Sequence, residues 1–124
     1  MYCNEINLNR LKQVMSGYSS YHVRRRCLVD MIRMKRAGHQ ECGQEMKLLH
    51  QASAKIAYVD HIMDAAEQWE GIGMRVLLWR VLVGKEDLKK VADDMHTEAE
   101  MLEMAIDTCL CNVMYKEQKE AQYA

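Results

Sequence analysis

The side chains that could do chemistry are spread along the chain. Histidine stands at His22, His39, His50, His61 and His96, and cysteine at Cys3, Cys27, Cys42, Cys109 and Cys111. Structural zinc sites draw on close pairs of soft ligands, and catalytic ones on patterns such as HExxH; neither spacing occurs. His39 with Cys42, and Asp60-His61 with Asp64, stand one helical turn apart, yet neither set has a third ligand at a matching distance. A di-iron bundle repeats Glu-x-x-His on two helices, and that repeat is missing. Ser19 and Ser20 have no nucleophile context and fit helix caps. An odd number of cysteines, without a CxxC pair, suits buried thiols in a reducing cytoplasm better than a disulfide framework. The expectation is a protein that is not an enzyme, with no metal and no cofactor.

Charge is better organised. Residues 1–62 carry a balance of +5 and residues 63–124 a balance of −6, which gives the overall −1. Arg25, Arg26, Arg33 and Arg36 fall within roughly 100° of one another on a helix, with Val23, Cys27, Met31 and Met34 on the other side. Such a face can grip phosphates, pair with the acidic half of a second copy, or simply stay solvated. Near the C-terminus, Glu100, Glu103 and Asp107 recur at i, i+3 and i+7, flanked by Met101 and Met104. Carboxylates beside adaptable apolar groups suit a protein surface, and equally suit plain solvent.

Helices must position these groups. The 124 residues include no proline and six glycines, and are 49% hydrophobic and 28% charged, so one helical domain spanning 1–124 is expected. Apolar spacing predicts helices over about 4–16, 20–37, 40–69, 73–83, 86–95 and 97–115. The second would be capped by Ser19 or Ser20. The third carries Met46, Leu49, Ala52, Ile56, Val59, Ile62, Met63 and Ala66 as a packing seam. Gly71-Ile72-Gly73 reads as a hinge. The fourth helix is apolar nearly all round and should lie centrally. Residues 1–70 then form N-terminal helices with a basic face, 71–115 a helix-turn-helix-like unit, and 116–124 a frayed tail. No apolar run approaches the roughly 20 residues of a membrane helix. Met1-Tyr2-Cys3-Asn4-Glu5 lacks the basic start and apolar run of a secretory signal. A cytoplasmic location in a bacterial host cell is expected.

The segment from Arg75 to Met114 carries a recognisable order. An apolar helix with Arg80 breaks at Gly84. Lys89-Lys90-Val91-Ala92-Asp93-Asp94-Met95 follows, then a tight turn at His96 and a new helix from Thr97-Glu98. Ala92 would be small because the next helix crosses over it, and Val91 and Met95 would be buried. Thr97 with Glu100 would form a capping box. Leu102, Ala105, Ile106, Cys109 and Val113 would face inward. This third of the chain resembles the helix-turn-helix of region 4 of bacterial sigma factors, a module also found in small phage-encoded transcription regulators. Histidine replaces the glycine common at the turn.

The resemblance implies DNA binding, but the charges oppose it on the second helix of the pair. From Thr97 to Met114 there is no Lys or Arg, and carboxylates repel phosphates. The expectation is therefore a small phage-type regulatory or inhibitory protein, similar in kind to anti-CRISPR proteins or modifiers of the transcription machinery. It would dock through Glu100, Met101, Glu103, Met104 and Asp107 on a basic protein or nucleoprotein, by DNA mimicry in electrostatic terms. The alternative is a DNA-binding transcription regulator using Arg25, Arg26, Arg33 and Arg36, or Lys85, Lys89 and Lys90. A structural helical homodimer is the third possibility.

Overall fold

The computed structural model describes the backbone of residues 4–123 and the side chains of residues 4–117. It is all-α: α1 (Glu5–Ser16), α2 (Tyr18–Ala37), α3 (Gly43–Glu70), α4 (Ile72–Leu78), α5 (Leu88–Asp94) and α6 (Ala99–Tyr123). A π-helical turn, Trp79–Val83, extends α4. No helix among the described residues is long and apolar enough to cross a membrane.

Local chemistry explains most boundaries. Asn4 caps α1 by accepting a 2.8 Å bond from the Asn7 N–H. Only Gly17 separates α1 from α2, so Ser19 and Ser20 lie inside the first turn of α2 and cap nothing. Gly71 ends α3 with φ 96 and ψ 172, a backbone region essentially closed to residues with a Cβ, and α4 starts at the next residue. The π turn closes with the Gly84 N–H bonded to the Trp79 carbonyl at 2.7 Å. Lys85 follows at φ 55, and the Glu86 N–H reaches back to the Arg80 carbonyl at 3.0 Å. The Arg80 guanidinium then holds both Glu86 oxygens at 3.0 Å and Asp94 at 2.7 Å, which ties the loop and the end of α5 to the π turn.

One core joins five helices. Leu11 and Met15 of α1 meet Val59, Ile62, Met63 and Ala66 of α3, Leu77 and Leu78 of α4, Val91 of α5, and Leu102, Ile106, Leu110 and Val113 of α6. From α2 only the half-buried Tyr18 packs against it. The rest of α2 packs on α3, burying Leu28 and Ile32 on one side and Ala52 and Ile56 on the other. The Tyr18 hydroxyl donates to Asp60 at 2.6 Å at one end of this antiparallel pair, and Lys35 salt-bridges Glu45 at the other. The N-terminal half of α3 and most of α2 thus form a two-helix arm beside the core.

Several expected placements differ. Val23, Cys27, Met31 and Met34 are exposed, because a two-helix arm covers only one line of α2, through Leu28 and Ile32. α4 is not buried all round: Ile72, Val76 and Trp79 lie on its open face, since no element covers α4 opposite α3 and α6. Met95 is exposed as the C-cap of the seven-residue α5. Ala105 is exposed, one position off the inward line of Leu102, Ile106 and Cys109. Helix α6 begins at Ala99 rather than at a Thr97 cap: Glu98 holds the cap position, its carbonyl accepting from the Leu102 N–H at 3.1 Å. The segment expected to fray continues α6 to Tyr123, and Ala124 lies outside the described residues. Cysteine usage also differs. Cys27 is exposed, Cys42 half-buried and Cys109 buried, all three as free thiols, whereas Cys111 is disulfide-bonded. Spacing along a chain does not reveal which cysteines pair. Cys3 lies outside the described residues.

Candidate functional site

The α5–α6 corner is built by short-range bonds. His96 takes the left-handed conformation at φ 56, and the Thr97 N–H bonds back to the Ala92 carbonyl at 3.0 Å, closing α5 as a Schellman-type stop. Histidine tolerates that region better than a β-branched residue would. Val91, Ala92, Leu102 and Ile106, all within 5% of full burial, hold the two helices together.

α6 presents two different flanks to solvent. Around the helix at 100° per residue, Glu100, Glu103 and Asp107 share one flank. Glu100 and Glu103 are exposed, and among the described residues neither has an ion-pair partner. Asp107 departs from the expected open stripe. Lys12 of α1 lies 2.5 Å from its Oδ1 as an ion pair, although this buried oxygen accepts no well-aligned hydrogen bond among the described residues. α1 packs against α6 here, so the third carboxylate belongs to a helix–helix contact.

The other flank carries Met101 and Met104, 62% and 70% exposed. With Ala105, Thr108 and Cys109 they face Glu70 and Met74 across a groove of about 320 Å³. Glu70, at the end of α3, places a carboxylate on the wall opposite α6. Burial first, then the nearby Glu70 charge, push the Cys109 thiol up to about 11, with Lys116 opposing. The thiol therefore stays protonated and serves as apolar floor. At the same corner the Lys116 ammonium sits 3.4 Å from the centre of the Trp69 ring. Glu70 and Met74 could not be assigned to this groove from sequence: no local pattern states that α6 packs beside the α3–α4 joint.

The basic residues are brought together only in part. Arg25, Arg26 and Arg33 line an open cleft of about 410 Å³ along α2, with His22, Val29 and Asp30. Arg36 lies farther along, against the Met46 sulfur at 3.8 Å. Lys85, Lys89 and Lys90 are exposed near α5, but Lys90 acts on Glu86 and Asp94, inside the Arg80 cluster. The His22 cleft adjoins an aromatic line, with Tyr18 edge-on to His22 at 4.6 Å and to Trp79 at 5.7 Å.

The Asp60-His61 and Asp64 set is otherwise engaged. Asp60 accepts from Tyr18, Asp64 and Glu67 bind Arg75, and His61 pairs with Glu117. Among the described residues no three metal-ligating side chains converge. No family model matches the chain, and no curated protein or solved structure is significantly similar to it.

Proposed function

We propose that this protein is a small, non-enzymatic regulatory or inhibitory protein, of the kind phages encode, that docks through α6 on a basic protein or nucleoprotein in the cytoplasm of a bacterial cell. One observation carries the reading: on a helix anchored by five buried side chains, two large methionines stand open beside two carboxylates that have no ion-pair partner among the described residues. Rigid placement lowers the entropic cost of docking, methionine adapts to an apolar anchor, and Glu100, Glu103 and Glu70 would meet basic groups around that anchor. The site residues of this reading are Glu100, Met101, Glu103 and Met104, extended by Met74 and Glu70; Asp107 serves the fold.

Capture from a bacterial lysate, with and without nuclease, compares the wild type with Glu100→Lys/Glu103→Lys and Met101→Ala/Met104→Ala. The expected result is a nuclease-resistant partner lost with both double variants. Equal capture by all three proteins would mean that the α6 surface is only solvated.

A second reading, a DNA-binding transcription regulator with a sigma region 4-like helix-turn-helix, is supported by Arg25, Arg26 and Arg33 of α2, which have no ion-pair partner among the described residues, and not by α6. A gel shift on random duplex separates the two. Micromolar binding that steepens as salt falls toward about 50 mM, and is lost with Arg25→Ala/Arg26→Ala/Arg33→Ala, supports the regulator.

A further inference from the structure

We propose that the exposed apolar stripe of α2 is a homodimer face, on which α2 of a second copy lies antiparallel about a two-fold axis. Val23, Cys27, Met31 and Met34 recur at steps of four, four and three, the spacing of a packing seam. Val23 is 59%, Met31 46% and Met34 75% exposed. The stripe stands roughly 120° around the helix from the Leu28–Ile32 line that packs on α3. Single exposed apolar residues are ordinary; a contiguous helical line of them marks a face that something covers.

The stripe fits its own copy. Antiparallel pairing centred within one residue of Leu28–Val29 sets Val23 near Met34 of the second copy and Cys27 near Met31, each contact made twice. That is the self-complementarity a two-fold interface requires. One flank of the stripe adds charge complementarity in this register. Asp30 is the one acidic residue between Tyr18 and Ala37, and it lies on the same flank of the stripe as Arg26. Antiparallel helices bring like flanks together, so Asp30 of each copy falls beside Arg26 of the other. Neither side chain has an ion-pair partner among the described residues. A stripe on a single helix lies at the lower end of specific interfaces in size, which sets the expected affinity in the micromolar range. Nothing in this pairing uses α6, so it stands or falls separately from the docking role given to that helix.

Sedimentation equilibrium of the full chain, from low micromolar to about 500 µM, with non-reducing gels to set aside any species cross-linked through Cys27, tests it. A reversible monomer–dimer equilibrium is expected. Met31→Lys/Met34→Lys alters only exposed positions, so helical circular dichroism should be unchanged while the dissociation constant rises by at least about 30-fold. Asp30→Arg should weaken the dimer by about tenfold, and Asp30→Arg/Arg26→Asp should restore it, because the swap re-forms both pairs. A chain that stays monomeric at the highest concentration overturns the proposal. So does a dimer that Met31→Lys/Met34→Lys leaves intact, or an Asp30→Arg loss that the charge swap does not recover.

Discussion

Lys12 and Asp107 lie 95 residues apart in sequence, yet their charged atoms stand 2.5 Å apart where α1 crosses α6. The pair is about two-thirds shielded on both sides, and Asp107 Oδ1 is itself buried. The carboxylate therefore stabilises the α1–α6 contact, whereas Glu103, one turn earlier on the same flank, remains in water. The same chemical group has two roles on one helix face, set by what packs over it.

Asp107→Asn should destabilise the fold by about 1 kcal/mol, since it leaves Lys12 without its counter-charge at a partly buried contact. Glu103→Gln should stay within about 0.5 kcal/mol of the wild type, as exposed substitutions usually do. Urea denaturation of the two variants measures the difference. Equal losses would show that Glu103 is also structural and would remove half of the open acidic surface from the proposed docking face.

The two glycines of the α3–α4 joint should respond in opposite directions. Gly71 sits at φ 96 with open space around its Cα, so Gly71→Ala meets backbone strain and no clash, at about 1–3 kcal/mol. Gly73 lies inside α4, also with open space around it, and Gly73→Ala should stabilise by about 0.5–1 kcal/mol through helix propensity. Thermal denaturation midpoints report both. If the two variants shift the midpoint alike, the joint is not held at Gly71.

The same contrast shows what could be read from sequence. Element type was legible because glycine breaks and three/four apolar spacing are local: Gly17, Gly38, Gly71 and Gly84 do mark the ends of helical segments. Within α6, Leu102, Ile106, Cys109 and Val113 fall where periodicity puts them. Periodicity names an apolar face but not whether anything covers it, and α2 shows the consequence. Its two apolar lines, Leu28–Ile32 and Val23–Cys27–Met31–Met34, look equivalent in sequence, and only the first meets α3. The candidate site was half legible for the same reason. Glu100, Met101, Glu103 and Met104 need only local helix geometry, while Asp107 with Lys12, and Glu70 with Met74, depend on how distant helices cross.

Acid should weaken the protein through the Arg80 and Lys35 clusters. The Arg80 guanidinium holds Glu86 and Asp94 below their ordinary values of 4.5 and 3.8, and Lys35 does the same for Glu45. Each carboxylate takes up a proton more readily in the unfolded chain. The stabilisation is therefore complete above those ordinary values and is lost as pH falls through the lower folded-state values. Urea midpoints should be level from pH 7 to about 5 and fall below about 4.5. Arg80→Gln should be less stable at pH 7 and show a shallower fall in acid. An acid limb as steep in Arg80→Gln as in the wild type would place the pH dependence elsewhere.

At the alkaline end the response belongs to Tyr18. Its hydroxyl donates to Asp60 at 2.6 Å, and burial first, then that carboxylate, push the phenol from 10.0 up to about 12. Between those values the unfolded chain has lost this proton and the folded chain keeps it. The contribution is therefore full below pH 10 and is lost as pH rises through about 12. Tyr18→Phe keeps the ring that stands edge-on to Trp79 and removes only the hydroxyl. It should lower stability at pH 7 by about 1–2 kcal/mol, because Asp60 loses its donor. Burial, and secondarily Glu117, also raises Tyr58, so the phenolate absorbance of the wild type must be compared with that of the variant. The difference should isolate one group that ionises near the top of the range. If the missing phenol titrates instead at the ordinary value of a free tyrosine, the Tyr18–Asp60 bond does not tie α2 to α3 in solution, and that pair would rest on the Leu28–Ile32 packing and the Lys35–Glu45 bridge.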